Sequence, residues 1–223
     1  WNDVRVRQAV AYAINREDIT TAAMQGNATV NQLAIPLSSN WAIDYSPFST
    51  DLDMAKSLMA DAGVTSATMD LMVSSDYPET VTAAQVISAQ LAEIGITVNI
   101  TTLDFSTWLA EQAAGNFDML MMGWLGNIDP DDFYYAQHHS TGWANAQKYN
   151  NPEVDELLSA GQVETDTAAR KQYYADAAKI IADEVSYLYL YNPDVVQAWS
   201  PELSGYTARG DRAIRFRDAA LVQ

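Results

Sequence analysis

The 223-residue chain contains no cysteine, which removes disulfide frameworks, thiolate metal sites and cysteine nucleophiles. Positive charge is scarce: 12 Lys and Arg face 29 Asp and Glu, for a formal net charge of −17. Such a field repels nucleic acid and anionic membrane surfaces, so neither is expected as a partner. A solvated acidic surface is the plainer reading of that charge, with specific cation capture as the other. No stretch approaches the ~20 consecutive apolar residues that span a bilayer. The nucleotide motifs G-x-G-x-x-G and G-x-x-x-x-G-K, the zinc pattern H-E-x-x-H and the serine elbow G-x-S-x-G are all missing. The only two histidines, His138 and His139, are adjacent, so in extended chain their side chains point to opposite sides and suit a shared metal poorly. No catalytic residue, metal site or cofactor is assigned.

What is present is a regular α/β pattern. Asn2 or Asp3 caps a helix through Ile14, Asn15 restarts one that ends near Gly26, and Thr50 or Asp51 caps a third that ends at Gly63. Between them, residues 31–50 carry two prolines and several serines without period, an irregular length usually tied to function. Met69, Leu71 and Val73 alternate as a strand, Pro78 to Gly95 bound a helix, and Ile96, Val98 and Ile100 alternate again. A helix around Trp108 and an apolar strand over 117–124 complete a β-α-β-α-β unit. The last strand, apolar on both faces, is expected at the centre of the sheet. Asn151-Pro152 and Thr165-Asp166 open two more helices, the second running to about Asp183. "VSYLYLYNP" reads as a strand, and 195–223 as turns and short strands.

Ligands gather outside the C-terminal ends of parallel strands. Trp124 stands there, followed by Gly126, Asn127 and Asp129 in "GWLGNIDPDDFYY", an aromatic plate beside amide and carboxylate groups. Asp131 and Asp132 are read as carboxylates favouring a helix start behind Pro130, while Asp129 is left to face a ligand. Trp41 in the irregular segment, Asp76 after the first strand and His138 join the candidate set. The cluster "RGDRAIRFR" is either an anion site or an ordinary strand with one charged face.

The ordered motifs "NDVRVRQAVAYAINREDI", "DLDMAKSLMADAGV", "AAQVISAQLAEIGITVNI", "FDMLMMGWLGNIDPDDF", "YNNPEVDELL" and "RKQYYADAAKIIADEVSYLYLY" resemble the extracytoplasmic solute-binding proteins of family 5, the dipeptide, oligopeptide and nickel-type receptors of ABC importers. The resemblance implies a periplasmic-binding-protein-like lobe (type II, cluster C) with a mixed, largely parallel sheet flanked by helices. It also implies a non-enzymatic receptor that delivers a peptide-like or other small polar solute to membrane permease subunits, in the periplasm or held outside the cytoplasmic membrane by a lipid anchor. Family members are about twice this long, so residues 1–184 match the second lobe and 185–223 a returning segment that packs on a missing N-terminal lobe. The start at Trp1, without methionine, fits a piece of a longer protein whose targeting signal lies outside it. In peptide-binding members the corresponding stretch reads W-x-A-D-Y, and its aspartate pairs with the peptide α-ammonium group. Here Asn127 replaces that aspartate, which counts against a free peptide N-terminus at this position, unless Asp129 supplies the charge. An oligosaccharide receptor using Trp41, Trp124 and Trp143 as stacking plates is the alternative, and a small hydrolase using Asp129 with His138 a second.

Overall fold

A computed structural model describes residues 1–125, 129–209 and 213–222. Asp3 caps α1 (Val4–Ala13) by accepting the Arg5 amide, and Asn15 caps α2 (Arg16–Met24) by accepting those of Glu17 and Asp18. Gln25 and Gly26 both take left-handed conformations, φ 53° and 78°, and end α2 before the short β1 (Ala28–Val30). Residues 31–50 contain neither helix nor strand, yet they are pinned. The Asn31 amide donates to the Ile35 carbonyl and to Asn192, each at 2.8 Å, and Gln32 exchanges two hydrogen bonds with the Phe48 backbone. Asp51 then caps α3 (Leu52–Asp61).

The sheet follows the expected βαβ logic: β2 (Ala67–Ser74), α4 (Pro78–Ala92), β3 (Ile96–Leu103), α5 (Phe105–Ala114) and β4 (Met119–Leu120). Gly95 makes the α4–β3 turn at φ 80°, and a Cβ there would stand 2.9 Å from the Thr65 carbonyl oxygen, so only glycine fits without backbone movement. The strands run parallel in the order β3-β2-β4. The expectation of a central strand over 117–124 is therefore corrected. β2 is the middle strand and is buried continuously from Leu71 to Ser74, whereas β4 is a two-residue ladder at the edge, continued by the Met121 amide on the Met72 carbonyl at 3.0 Å. A short apolar run has the same hydropathy in either position, and only pairing separates the two.

The remaining helices are α6 (Pro130–His138), α7 (Pro152–Val163) and α8 (Thr167–Asp183), followed by the antiparallel ribbon partners β5 (Tyr191–Pro193), β6 (Leu203–Ser204) and β7 (Ala220–Leu221). β5 pairs with β1, and β6 with β7. The strand expected across "VSYLYLYNP" is thus only its last three residues. The reason lies just upstream: Val185 turns left-handed at φ 50° to close α8, and Tyr187 and Tyr189 pack their rings on His138 instead of joining a ladder.

Two cores result. Val10, Ile14, Ile19, Met69, Leu71, Val73, Ile87, Leu91 and Ile96 fill the first, between the sheet and the helices α1–α4. Leu33, Ile35, Tyr134, Val154, Leu158, Tyr174 and Ile181 fill the second, where the irregular segment covers α6–α8. Each fully buried aliphatic side chain contributes about 1.5–3 kcal/mol, so the irregular segment is held by the same force as the helices. Among the described residues no helix is long and apolar enough to cross a membrane.

Candidate functional site

The carboxyl ends of β2 and β3 form one rim. The Asp76 carboxylate accepts the Phe105 amide at 2.7 Å, and Asp104 caps α5 by accepting the Thr107 amide. Hydrogen bonds from the hydroxyls of Ser106 and then Thr107 hold the Asp104 carboxyl well below the usual carboxylate range. Tyr77 stands edge-on to Phe105 with ring centroids 5.5 Å apart, and Phe105 stacks at 6.2 Å on the buried Trp108. Sequence reasoning found Asp76 but passed over Tyr77 and Phe105; their place one residue past an aspartate at each strand end was the available signal.

At the end of β4, Trp124 lies 5.6 Å from Trp143, the rings tilted by 43°. Trp143 is 80% exposed and Trp124 is 38% exposed, so the pair presents indole surface to solvent. The turn that delivers Trp143 needs Gly142, because a Cβ there would meet the Tyr135 and Ala136 carbonyl oxygens at 2.5 Å. Gly126 and Asn127 lie outside the described residues.

Asp129 has a different role from the expected one. It is the N-cap of α6, its Oδ1 accepting the Asp131 amide at 3.0 Å, and both its oxygens accept Arg170, at 2.9 and 2.8 Å. Asp129 is the cap, and Asp131 and Asp132 stand in the first turn of α6, as expected of carboxylates at a helix start; the Asp131 carboxylate accepts from the Tyr174 hydroxyl and the Gln162 amide. The Arg170 hydrogen bonds hold the Asp129 carboxyl below its ordinary value, and Asp129 pushes the guanidinium up in turn. The same guanidinium donates to the Gly161 carbonyl and lies 5.1 Å over the Trp41 ring and 5.3 Å over Tyr174. Trp41 is therefore half-buried against Arg170 and Tyr174, whereas Trp124 and Trp143 pack on each other.

Arg170→Met is expected to destabilise the fold by about 2 kcal/mol, a figure already reduced for solvent screening of the pair. It should also return the Asp129 carboxyl toward its ordinary pKa, read by NMR titration. A variant with both quantities unchanged would refute the clamp.

His138 is fully buried. Its Nε2 lies 2.7 Å from the Tyr189 hydroxyl and its Nδ1 3.3 Å from Ser186 Oγ, and burial pushes its pKa down to about 3. It stands at the C-terminal end of α6 while Asp129 caps the N-terminal end, a separation of about 13 Å at 1.5 Å per residue. This corrects the hydrolase pairing: the two groups cannot share a substrate atom, and His138 is walled off as a core residue. His139 is equally engaged, between Thr141 and Ser159 and stacked on Tyr135. Among the described residues no group of three metal-ligating side chains occurs.

A parallel sheet whose strand ends carry exposed aromatics beside carboxylates, flanked by helices on a second core, is the architecture of a lobe of type II periplasmic binding proteins. With residues 1–145 matching the model of the bacterial extracellular solute-binding proteins, family 5 Middle, the chain belongs to that family. It is 28% identical over 234 residues to the glutathione-binding protein GsiB of Pectobacterium atrosepticum, covering 100% of this chain and 46% of that protein. It is also 28% identical to the dipeptide-binding protein of Escherichia coli, over 92% of this chain and 40% of the relative. The chain thus spans about half the length of the curated relatives it matches. Among solved structures, the Helicobacter pylori protein DppA in complex with the peptide STSA superposes with a TM-score of 0.86 at 25% identity, covering 100% of this chain and 44% of that one. The dipeptide-binding protein of Pseudoalteromonas sp. SM9913, in complex with Met-Leu, gives 0.85 at 28% identity, with 99% and 45% covered.

Proposed function

We propose that this chain is the second lobe of the substrate-binding receptor of an ABC importer. It would close with a first lobe on a peptide-like or other small polar solute and present the closed form to permease subunits. The observation that carries this is the aromatic and carboxylate rim at the C-terminal edge of the parallel sheet, where α/β proteins take their ligands. Binding is proposed to fall to Trp124, Gly126, Asn127 and Asp76, joined by Tyr77 and Trp143, with Asp129, Trp41 and His138 supporting the rim from behind. The receptor works outside the cytoplasmic membrane, free in the periplasm or lipid-anchored, and without catalysis.

A groove of about 560 Å³ lies between Met24, Gln25, Asn27 and Pro193–Gln197 and borders the rim through Glu79, in the first turn of α4. We assign the solute to the rim and this groove to the lobe junction, since a cleft that closes between two lobes is only half-built in one of them. Of the returning segment expected over 185–223, we propose that the part from Asp194 onward meets the first lobe. Up to Pro193 the chain is tied in: Arg16 donates to the Tyr189 carbonyl at 2.9 Å and β5 pairs with β1. Beyond it Val196, Ile214, Phe216 and Leu221 are exposed.

The test is titration of the full-length protein with peptide, oligosaccharide and metal libraries, followed by tryptophan fluorescence. Asn127→Asp is expected to raise affinity for solutes with a free ammonium group about tenfold, because an ion pair replaces a hydrogen bond from the ammonium to an uncharged amide. Unchanged affinity for every solute would remove Asn127 from the site.

A further inference from the structure

Between Lys56 and Lys148 the sequence contains neither lysine nor arginine, and eleven aspartates and glutamates fall in the same stretch. That stretch builds β2, α4, β3, α5, β4 and α6, and so the entire parallel sheet and both ends of the rim. Its two histidines add no exposed cation, since His138 is buried and kept neutral and His139 is 9% exposed with both ring nitrogens engaged. The cations elsewhere lie on α1–α3, on α8, at Lys148 and past residue 208. Arg170 reaches the start of α6 and places both terminal nitrogens on Asp129.

A stretch without lysine or arginine could still hold an anion on helix N-termini. At α5 and α6 those positions are already taken, and α4 has no side-chain cap. The first amides of α5 are accepted by Asp76 and Asp104, and α6 is capped by Asp129. α4 opens with Pro78, which has no N–H, and carries Glu79 in its first turn. Among the described residues of this stretch, the groups that face solvent at the rim include the exposed rings of Tyr77, Trp124 and Trp143 and the carboxylates of Asp76 and Asp104.

We infer that the solute meets this lobe with a neutral or positively charged group, and that a solute bearing a carboxylate at each end, glutathione being the example, is rejected. The inference rests on the receptor reading above and narrows its solute class. A carboxylate brought to about 5 Å from a rim carboxylate, at a dielectric between protein surface and water, loses about tenfold or more in affinity, and no cation in this stretch offsets the loss. A dipeptide can turn its ammonium end to the rim, whereas either end of glutathione brings a carboxylate there.

The test uses the full-length receptor in two ways. First, the Trp143 emission, isolated as the difference between wild type and Trp143→Phe, is quenched with caesium and with iodide, each scaled to free N-acetyltryptophanamide. At ~20 mM salt caesium is expected to be at least about threefold more effective, with the ratio approaching one near ~0.5 M salt, where the Debye length falls to a few ångströms. Second, calorimetric titration compares glutathione with its diethyl ester, the same skeleton without carboxylates, and the ester is expected to bind at least about tenfold more tightly. Equal quenching by iodide, or glutathione binding as tightly as its ester, overturns the charge assignment and leaves the receptor reading standing. If neither compound binds, the quenching ratio decides alone. A receptor that no member of a broad solute library stabilises overturns the receptor reading instead.

Discussion

Trp108→Ala is expected to lower the unfolding free energy by about 4 kcal/mol, whereas Trp143→Ala should change it by less than about 0.5 kcal/mol. The two residues have the same chemistry and opposite placement. Trp108 is 1% exposed, stacks on Phe105, and its indole N–H donates to the Met72 carbonyl at 3.4 Å on the middle strand. Truncation would empty a large volume under α5 and leave that helix without its anchor to β2. Since α5 carries Asp104 and Phe105, the rim would move with it, and solute affinity should fall together with stability. Trp143 is 80% exposed and touches Trp124; its loss removes a plate from the rim and little from the core. Urea unfolding of the full-length protein followed by far-UV circular dichroism separates the outcomes. A Trp108→Ala loss below about 1 kcal/mol would mean that α5 is held by something other than this side chain.

Acid should destabilise the lobe through His138 before its carboxylates titrate. In the folded state burial pushes this imidazole down to about 3, whereas in the unfolded chain it titrates near the ordinary value of about 6.5. The folded pKa is the lower one, so the stabilising contribution is complete above about pH 6.5. As pH falls below that value the unfolded state binds the extra proton, and stability declines by about 1.4 kcal/mol per pH unit until the folded pKa is reached. The total comes to about 5 kcal/mol, a large share of the 5–15 kcal/mol that holds a typical domain together. His138→Gln keeps an acceptor for the Tyr189 hydroxyl, 2.7 Å away in the wild type, and removes the titration. Its stability between pH 6.5 and pH 4 should therefore be flatter by about that slope, measured by denaturant unfolding at several pH values. Parallel pH profiles for the two proteins would show that His138 does not stay neutral in the fold.

Both predictions concern residues whose role the sequence misassigned or left undecided. His138 has the composition of a catalytic candidate and the position of a core residue. Its neighbours Ser186, Tyr187 and Tyr189 lie about fifty positions downstream, and no local pattern announces that the chain returns past α8 to cover it. Arg170 escaped notice for the same reason. It sits 41 residues from Asp129, and on the helix itself it reads as one more solvated charge. Asp129 looked free because the residue before a proline is held extended; its cap on the Asp131 amide is local, but the ion pair that occupies both its oxygens is a property of where α8 packs.

The sequence by itself determined the elements and their order: the cap residues Asp3, Asn15 and Asp51, the glycines at 63 and 95, the alternation in β2 and β3, and the family to which the chain belongs. Those features depend on neighbours within a few residues, where hydrogen-bonding and periodicity rules act directly. Only the tertiary structure decided that β2 and not the apolar stretch after Phe117 is the middle strand. It likewise decided that Trp41 packs on Arg170 and Tyr174 while Trp143 packs on Trp124, that Asp129 belongs to Arg170, and that Asp76 takes the first amide of α5. Each of these follows from contacts between residues distant in the chain, where burial and pairing are set by three-dimensional packing and leave no mark on local composition.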